Sequence, residues 1–463
     1  MNNRKEVDFN CSWLPSFQTS AAFCIALMNL VIAAPLAMGQ ALVLPGAGSQ
    51  PKDLDQAWIA EQIDSVVKLY RHLHQHPELS FEERETSEAI AKELRVSGLS
   101  VTTDVGGHGV VGVLRNGGKK TLMLRADLDG LPVREETGLT FASKVSTKSE
   151  FGQQVDVMHA CGHDIHMANL IGVVRYLAQH KTDWSGTLLV IGQPAEERGA
   201  GAKSMLADGL FDRFPRPDFA LAFHVDAGLR TGDVAFRAGY QQANVDTVDI
   251  TVKGRGGHGA YPHATVDPVV QAAQLVLALQ TIVSREVDPT QPAVVTVGSI
   301  HGGTKHNVIG NECHLQLTVR SYSDEVRRQL CKSIQRIAEG VAQTAGAPEP
   351  KIKIEIGTPA LKNDADLARR LRPLFESAIG PEHVHVSSPL MGGEDFSRYG
   401  RAGVPILMMR LGSVNELRLK RFESLGVPPP SLHSSQYYPD AKEALTCGIR
   451  VMTTASLNLL HPE

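Results

Sequence analysis

Short, almost wholly apolar runs alternate with stretches of helical periodicity through the first half of the chain. Val110–Leu114, Thr121–Leu124, Leu188–Ile191 and Phe219–Phe223 are such runs. Each has the length of a strand buried on both faces. Helical spacing covers about 54–76 and 84–97 and, between strands, Ile165–Ala178. Apolar strands separated by helices predict an α/β fold, with a mixed, largely parallel sheet covered by helices on both faces.

The pattern changes near residue 241. Val248, Ile250 and Val252 alternate with Asp249, Thr251 and Lys253, and Cys313, Leu315, Leu317 and Val319 alternate with His314, Gln316, Thr318 and Arg320. Period-two alternation marks strands with one wet face, and so an antiparallel sheet backed by helices near 266–285 and 323–345. Residues 241–355 thus read as an α+β domain inserted between the two parts of the α/β domain, 52–240 and 356–463. The second part carries a helix from about 364, a strand at Pro405–Met409 and a last helix from Ala441.

Ahead of the folded part, residues 21–36 form the one long apolar run, preceded by Arg4 and Lys5 and followed by Ala37-Met38-Gly39. The run is short for a spanning helix, and small residues stand where a signal peptidase reads. Residues 1–39 are therefore expected to be a signal peptide, the alternative being a retained N-terminal anchor, and 40–51 a linker, with export to a bacterial-type periplasm and no membrane contact after cleavage. Cleavage would leave four of the six cysteines, too few for a disulfide framework. Lys plus Arg number 46 against 50 Asp plus Glu, a net charge of -4, so no basic excess supports a nucleic-acid partner.

Eighteen histidines ask for an explanation. The densest metal-capable cluster is Met158-His159-Ala160-Cys161-Gly162-His163-Asp164-Ile165-His166. Cys161-Gly162-His163 opens a predicted helix, whose N-terminus favours the thiolate, and thiolate with imidazole favours zinc or a neighbouring transition metal. Glu196 and Glu197, in Gln193-Pro194-Ala195-Glu196-Glu197, follow the strand at 188–191, where ligands gather in a parallel sheet. Adjacent carboxylates point in different directions, so one can hold metal while its neighbour holds a proton. Asp127 and Asp129, His224, and His433 also fall in loops or strand ends at one end of the sheet. Together these loops offer enough ligands for two metals.

Taken in order, Arg71–Glu78, Arg125–Pro132, His159–Asp164, Gln193–Glu197, Gly256–Ala260, His306-Asn307, Gly392–Phe396 and Leu432-His433-Ser434 resemble the co-catalytic di-metal amidohydrolases and carboxypeptidases of the aminoacylase group. The branch is that of hippurate hydrolases, N-acyl-amino-acid amidohydrolases and auxin-conjugate hydrolases. The resemblance implies a zinc-exopeptidase-like α/β domain with an inserted lid and dimerisation domain. It also implies two divalent ions, zinc first, with manganese, cobalt or nickel as alternatives. Cys161 would bridge them, Glu197 and His433 completing one site and His163 and His224 the other. Glu196 matches the general base. Asp127 stands where other branches place a ligand histidine, a job His163 takes here, and Asp129 would support the ligands from behind. His258 matches the residue that reaches the scissile carbonyl, on lid closure or across a dimer. Asn307 and Arg320 would hold the substrate carboxylate.

The activity this implies is hydrolysis of the amide of an N-acyl-amino acid or related small amide. The alternatives are a dipeptidase or aminopeptidase-like enzyme and, last, a binding protein that has lost catalysis. The last would be signalled by loss of Glu196 or a ligand, and all are present. His72, His74 and His76, spaced by two on a helix, are expected to point apart and not to share a metal. His263, His301 and His306 read as lid residues, and Cys313 as lid core. Glu394 lies near the site by motif, without an assigned step.

Overall fold

Strand burial follows from where the apolar residues fall. In a computed structural model that describes residues 54–461, every residue of Thr121–Asp127 and of Ile406–Val414 is buried. Along Thr121–Asp127, Leu122 and Leu124 enter one core beside the helices Gln56–Gln75, His163–Gln179 and Ala441–Leu459. Met123 enters another beside Met205, Phe396 and Tyr399. A strand with a core on each side has no wet face to mark with polar residues, which is why its sequence runs apolar without alternation. Each fully buried Leu contributes roughly 1.5–3 kcal/mol, so such a strand is the stable centre of the fold.

The principal sheet runs in the order Ser100–Thr102, Val110–Asn116, Gly186–Gln193, Thr121–Asp127, Phe219–Arg230, Ile406–Val414, Val234–Phe236, Val384–Val386. Its central strands, Gly186–Gln193, Thr121–Asp127, Phe219–Arg230 and Ile406–Val414, are parallel, so their carboxyl ends lie along one rim. The mixed α/β sheet expected from the pattern is present. Ile406–Val414 lies beside Phe219–Arg230 across almost two hundred intervening residues.

The alternating segments form a separate antiparallel sheet in the order Ala293–Gly302, Glu312–Ser321, Asn244–Lys253, Lys351–Thr358. Val248 pairs with Leu317 and Ile250 with Leu315, and these bury against the helices Pro268–Thr281 and Asp324–Thr344 in a core of their own. Cys313 is buried there. Asp267 and Ser323 cap the two helices, accepting hydrogen bonds from Val269 and Val326 amides at 2.8 and 3.2 Å. Arg327 forks onto the buried Asp246 of the adjoining strand, tying helix to sheet. Lys351–Thr358 runs across the expected boundary at 355. The hydrophobic pattern does not predict the helix Glu416–Ser424, which is polar and has no buried residue.

The expected leader 1–39 and linker 40–51 lie outside the described residues. Among the described residues, no helix is long and apolar enough to cross a membrane.

Candidate metal centre

The site assembles at the rim where the parallel strands end. Helix His163–Gln179 starts at Gly162, whose φ of 77° lies in the left-handed region. A Cβ there would stand 2.6 Å from Val225 Cγ2, so glycine alone lets the chain turn past that strand and bring Cys161 and His163 to face one point. After Gly186–Gln193, Ala195 also takes a positive φ, 50°, and the turn brings carboxylate oxygens of Glu196 and Glu197 within 4.8 Å of each other and of a His163 ring nitrogen. His433 has φ 68°, and its amide donates to the Ala160 carbonyl at 2.9 Å. That bond lashes the His433 loop to the residue before Cys161. Left-handed backbone costs about 1–3 kcal/mol at a non-glycine residue, and such strain gathers at functional sites.

Hydrogen bonds set the histidine tautomers. His163 Nδ1 donates to the Asp129 carbonyl at 2.8 Å, and His224 Nδ1 to the Val225 carbonyl at 2.8 Å. In the neutral form of each ring Nε2 is then the bare lone pair. His224 Nε2 lies 3.6 Å from Cys161 Sγ. His163 Nε2 lies 3.7 Å from Asp127 Oδ2 and 3.8 Å from Glu197 Oε1, beyond hydrogen-bond range, and Glu197 Oε1 lies 3.4 Å from His433 Nε2. The donor atoms of Cys161, His163 and His224 fall within 4.8 Å of one another, and so do those of Cys161, Glu197 and His433. Two donor sets therefore share one thiol.

These residues fit a pair of divalent ions. His163 Nε2 and Glu197 Oε1 are buried without a hydrogen-bond partner among the described residues, a costly state for facing acceptors unless a cation lies between them. Burial alone would push the His163 proton affinity down, but Asp127, Asp129 and Cys161 carry it well above the ordinary range. The surroundings thus demand positive charge. A soft thiolate with imidazoles and a carboxylate is a transition-metal donor set.

One expectation is corrected. The expected acidity of Cys161 at the helix N-terminus is opposed: burial, and next the negative charge of Glu197, push the thiol well up. His166, within reach of Asp127 and His163, is not a free ligand. Its Nε2 accepts the Val225 amide at 2.9 Å, so Nδ1 carries the proton and donates to Asp127 Oδ1 at 2.6 Å. It orients Asp127, and sequence spacing had not singled it out.

Asp129 ties the two loops together. Its Oδ2 accepts from Ser80 Oγ at 2.6 Å and from the Glu197 amide at 3.0 Å. Asp127 Oδ2 accepts from Arg125 Nη1 at 2.7 Å, and Arg125 also reaches Glu394 and Asp395 at 2.9 and 3.1 Å. Glu394, left without a step by its motif, belongs to this buried cluster. Burial opposes its charge more than Arg125 supports it, and its carboxyl is pushed up to about 7. Glu196, 9 % exposed, has its pKa raised well above the ordinary range by burial and then by Glu394 and Glu197.

A cavity of about 1010 Å³ opens over these groups, lined by Cys161, Glu196, Glu197, His224 and His433. Arg320 from the second sheet borders it, and its Nη1 donates to the Met391 carbonyl at 3.1 Å. His258 and Asn307 are not among its lining residues. His258 is exposed and accepts the Ala260 amide on Nδ1 at 3.0 Å, and the Asn307 carbonyl accepts the Gly259 amide at 2.9 Å. The expectation for the three histidines of the first helix needs revision. His74 is buried between Asp164 and Glu135, but His72 and His76 share a face, their rings 4.6 Å apart. They are four residues apart, a full helical turn, which the spacing of two had obscured.

Residues 123–424 match the model of peptidase family M20/M25/M40. The chain belongs to this family, and it is a metal-dependent hydrolase of amide bonds. It is 36% identical over 363 residues to thermostable carboxypeptidase 1 of Saccharolobus solfataricus, covering 77% of this chain and 88% of that one. It is 36% identical over 335 residues to the N-acetyl-L-cysteine deacetylase of Bacillus subtilis, covering 72% and 77%. Among solved structures, a dinuclear metal-binding peptidase of family M20 from Bacillus subtilis superposes with a TM-score of 0.69 at 28% identity, covering 87% of this chain and 99% of that one.

Proposed function

We propose that this enzyme cleaves the amide of N-acyl-amino acids, or of closely related small amides, whose leaving half carries a free carboxylate. The observation that carries this reading is the pair of donor sets sharing Cys161, with Glu196 beside them and a guanidinium, Arg320, across the cavity. Two divalent ions, zinc first among the candidates, would be held with Cys161 in common, His163 and His224 completing one donor set and Glu197 and His433 the other. When bound, such ions polarise a carbonyl and acidify water. Glu196 takes a proton from the attacking water and returns it to the departing nitrogen. Its raised proton affinity suits a group that must hold a proton between two steps. Asp127 and Asp129 keep the ligands aimed through Arg125, His166 and the His163 ring. Arg320 takes the substrate carboxylate with Asn307, and His258 donates to the carbonyl oxygen once the inserted unit moves over the cavity or a second copy supplies it.

Residues 1–39 direct export to the periplasm in this reading. A dipeptidase activity is the second reading, favoured by the likeness to a carboxypeptidase. N-acetyl, N-benzoyl and dipeptide substrates, offered to chelated and metal-restored protein, test both. Cleavage that survives blocking of the α-amine but not of the α-carboxylate supports the acyl-amino-acid reading. Cleavage that needs a free α-amine supports the dipeptidase.

A further inference from the structure

Arg410 is a charge in an unusual place. Its strand, Ile406–Val414, reads Ile-Leu-Met-Met-Arg-Leu-Gly-Ser-Val, with every residue buried. It is the register partner of His224 on the adjacent parallel strand. Paired residues of parallel neighbours leave the sheet on the same face, so the Arg410 side chain rises beside the His224 ring. Both border the catalytic cavity.

The Arg410 side chain is 8 % exposed, and its guanidinium is poorly satisfied. Nε donates to Asp226 Oδ2 at 3.3 Å, a long bond. Asp226 is about one-third exposed and accepts the Gly228 amide on its other oxygen at 2.9 Å. Arg410 Nη1 is buried with no hydrogen-bond partner among the described residues. A buried, always-charged guanidinium with an unused N–H is expensive to hold. Arg320, by contrast, spends N–H groups on Thr318 Oγ1 and the Met391 carbonyl. The two arginines border the cavity from different sheets.

Within the amidohydrolase reading, on which this rests, we propose that Arg410 is a specificity-determining residue whose guanidinium, at the cavity wall, binds an anionic group of the substrate. Preferred substrates then carry two carboxylates, one for Arg320 and one for Arg410. Arginine is suited to this because its planar donors match a carboxylate and its charge persists when buried.

Two substrate pairs, each matched in shape and differing by one charge, test this. N-succinyl-amino acids are compared with their succinamoyl counterparts, and N-acetyl-glutamate with N-acetyl-glutamine. In the wild-type enzyme the charged member of one pair should show a kcat/KM about 10–100-fold higher, the range of one charge-assisted hydrogen bond. Arg410→Gln should bring that ratio near one, and Arg410→Lys, which keeps the charge and loses the fork, should leave it between. A wild-type ratio near one in both pairs overturns the proposal. So does an Arg410→Gln ratio equal to wild type, because a merely structural arginine slows both members together. Arg410→Met gives the same reading if the glutamine variant does not fold. If metal-loaded wild type cleaves neither member of either pair, the amidohydrolase reading falls instead. Arg410 is then judged by calorimetric binding of succinate against succinamate. Tighter succinate binding in wild type than in Arg410→Met supports the anion site, and equal binding overturns it.

Discussion

Glu83 accepts a hydrogen bond from the Ala195 amide at 2.7 Å, and so fixes the turn that carries Glu196 and Glu197. Ala195 sits at φ 50°, a conformation that needs outside support. Glu83 is fully buried, far from the cluster in sequence, and bound to the one backbone group that sets the relative aim of the two carboxylates.

Glu83→Ala should therefore loosen the Glu196–Glu197 turn. The buried Ala195 amide would lose its acceptor, costing roughly 1–3 kcal/mol of stability, and kcat should fall with the metal sites retained. Chemical denaturation and single-turnover kinetics read the two effects. Glu83→Gln keeps an acceptor at the amide and should recover most of both.

The adjacent glutamates should separate. Glu196→Gln is expected to keep near-normal metal content and lose on the order of 10²–10⁴ in kcat, the range for general acid–base catalysis. Glu197→Gln should lower metal occupancy as well as rate. Metal analysis of the two purified variants checks this, and the opposite ordering would mean their roles are exchanged.

His74 makes a pH prediction. Burial opposes its charge, but hydrogen bonds to Asp164 at 2.7 Å and Glu135 at 3.1 Å outweigh it and push the pKa up to about 9. A histidine bound more tightly to its proton when folded stabilises fully below its unfolded value near 6.5 and loses that contribution as pH rises through about 9. The difference in unfolding free energy between wild type and His74→Gln should shrink over this window, by on the order of 2–3 kcal/mol. A difference independent of pH between 6.5 and 9 would show that His74 is neutral in its pocket.

His258→Ala should cost roughly 10²–10³ in kcat, the scale for an oxyanion donor, and leave metal content unchanged. Hydrolysis at the wild-type rate would make His258 structural.

Much of this arrangement was legible in the chain because it is local. Gly162 between Cys161 and His163, and two glutamates directly after an apolar strand, carry their chemistry in adjacent letters. The two-core strand Thr121–Asp127 and the alternating Glu312–Ser321 declare their surroundings through periodicity. The rest depends on partners brought together by folding. His166 looks like a ligand until the Val225 amide is seen to occupy its Nε2. Burial and Glu197 reverse the expected acidity of Cys161, a balance of long-range terms that no spacing encodes. Glu83 meets Ala195 across more than a hundred residues. Arg410 did leave a signal, a lone cation within an unbroken apolar strand.

The most direct test is the metal content and activity of wild type and Cys161→Ser measured side by side. Two divalent ions per chain are expected in wild type. Chelation should abolish hydrolysis of an N-acyl-amino acid, and zinc, manganese, cobalt or nickel should restore it. Because one thiol serves both donor sets, Cys161→Ser should lose occupancy at both sites together. Full activity in metal-free protein, or loss of a single ion from Cys161→Ser with the second held as tightly as before, would contradict a centre built on a shared thiolate.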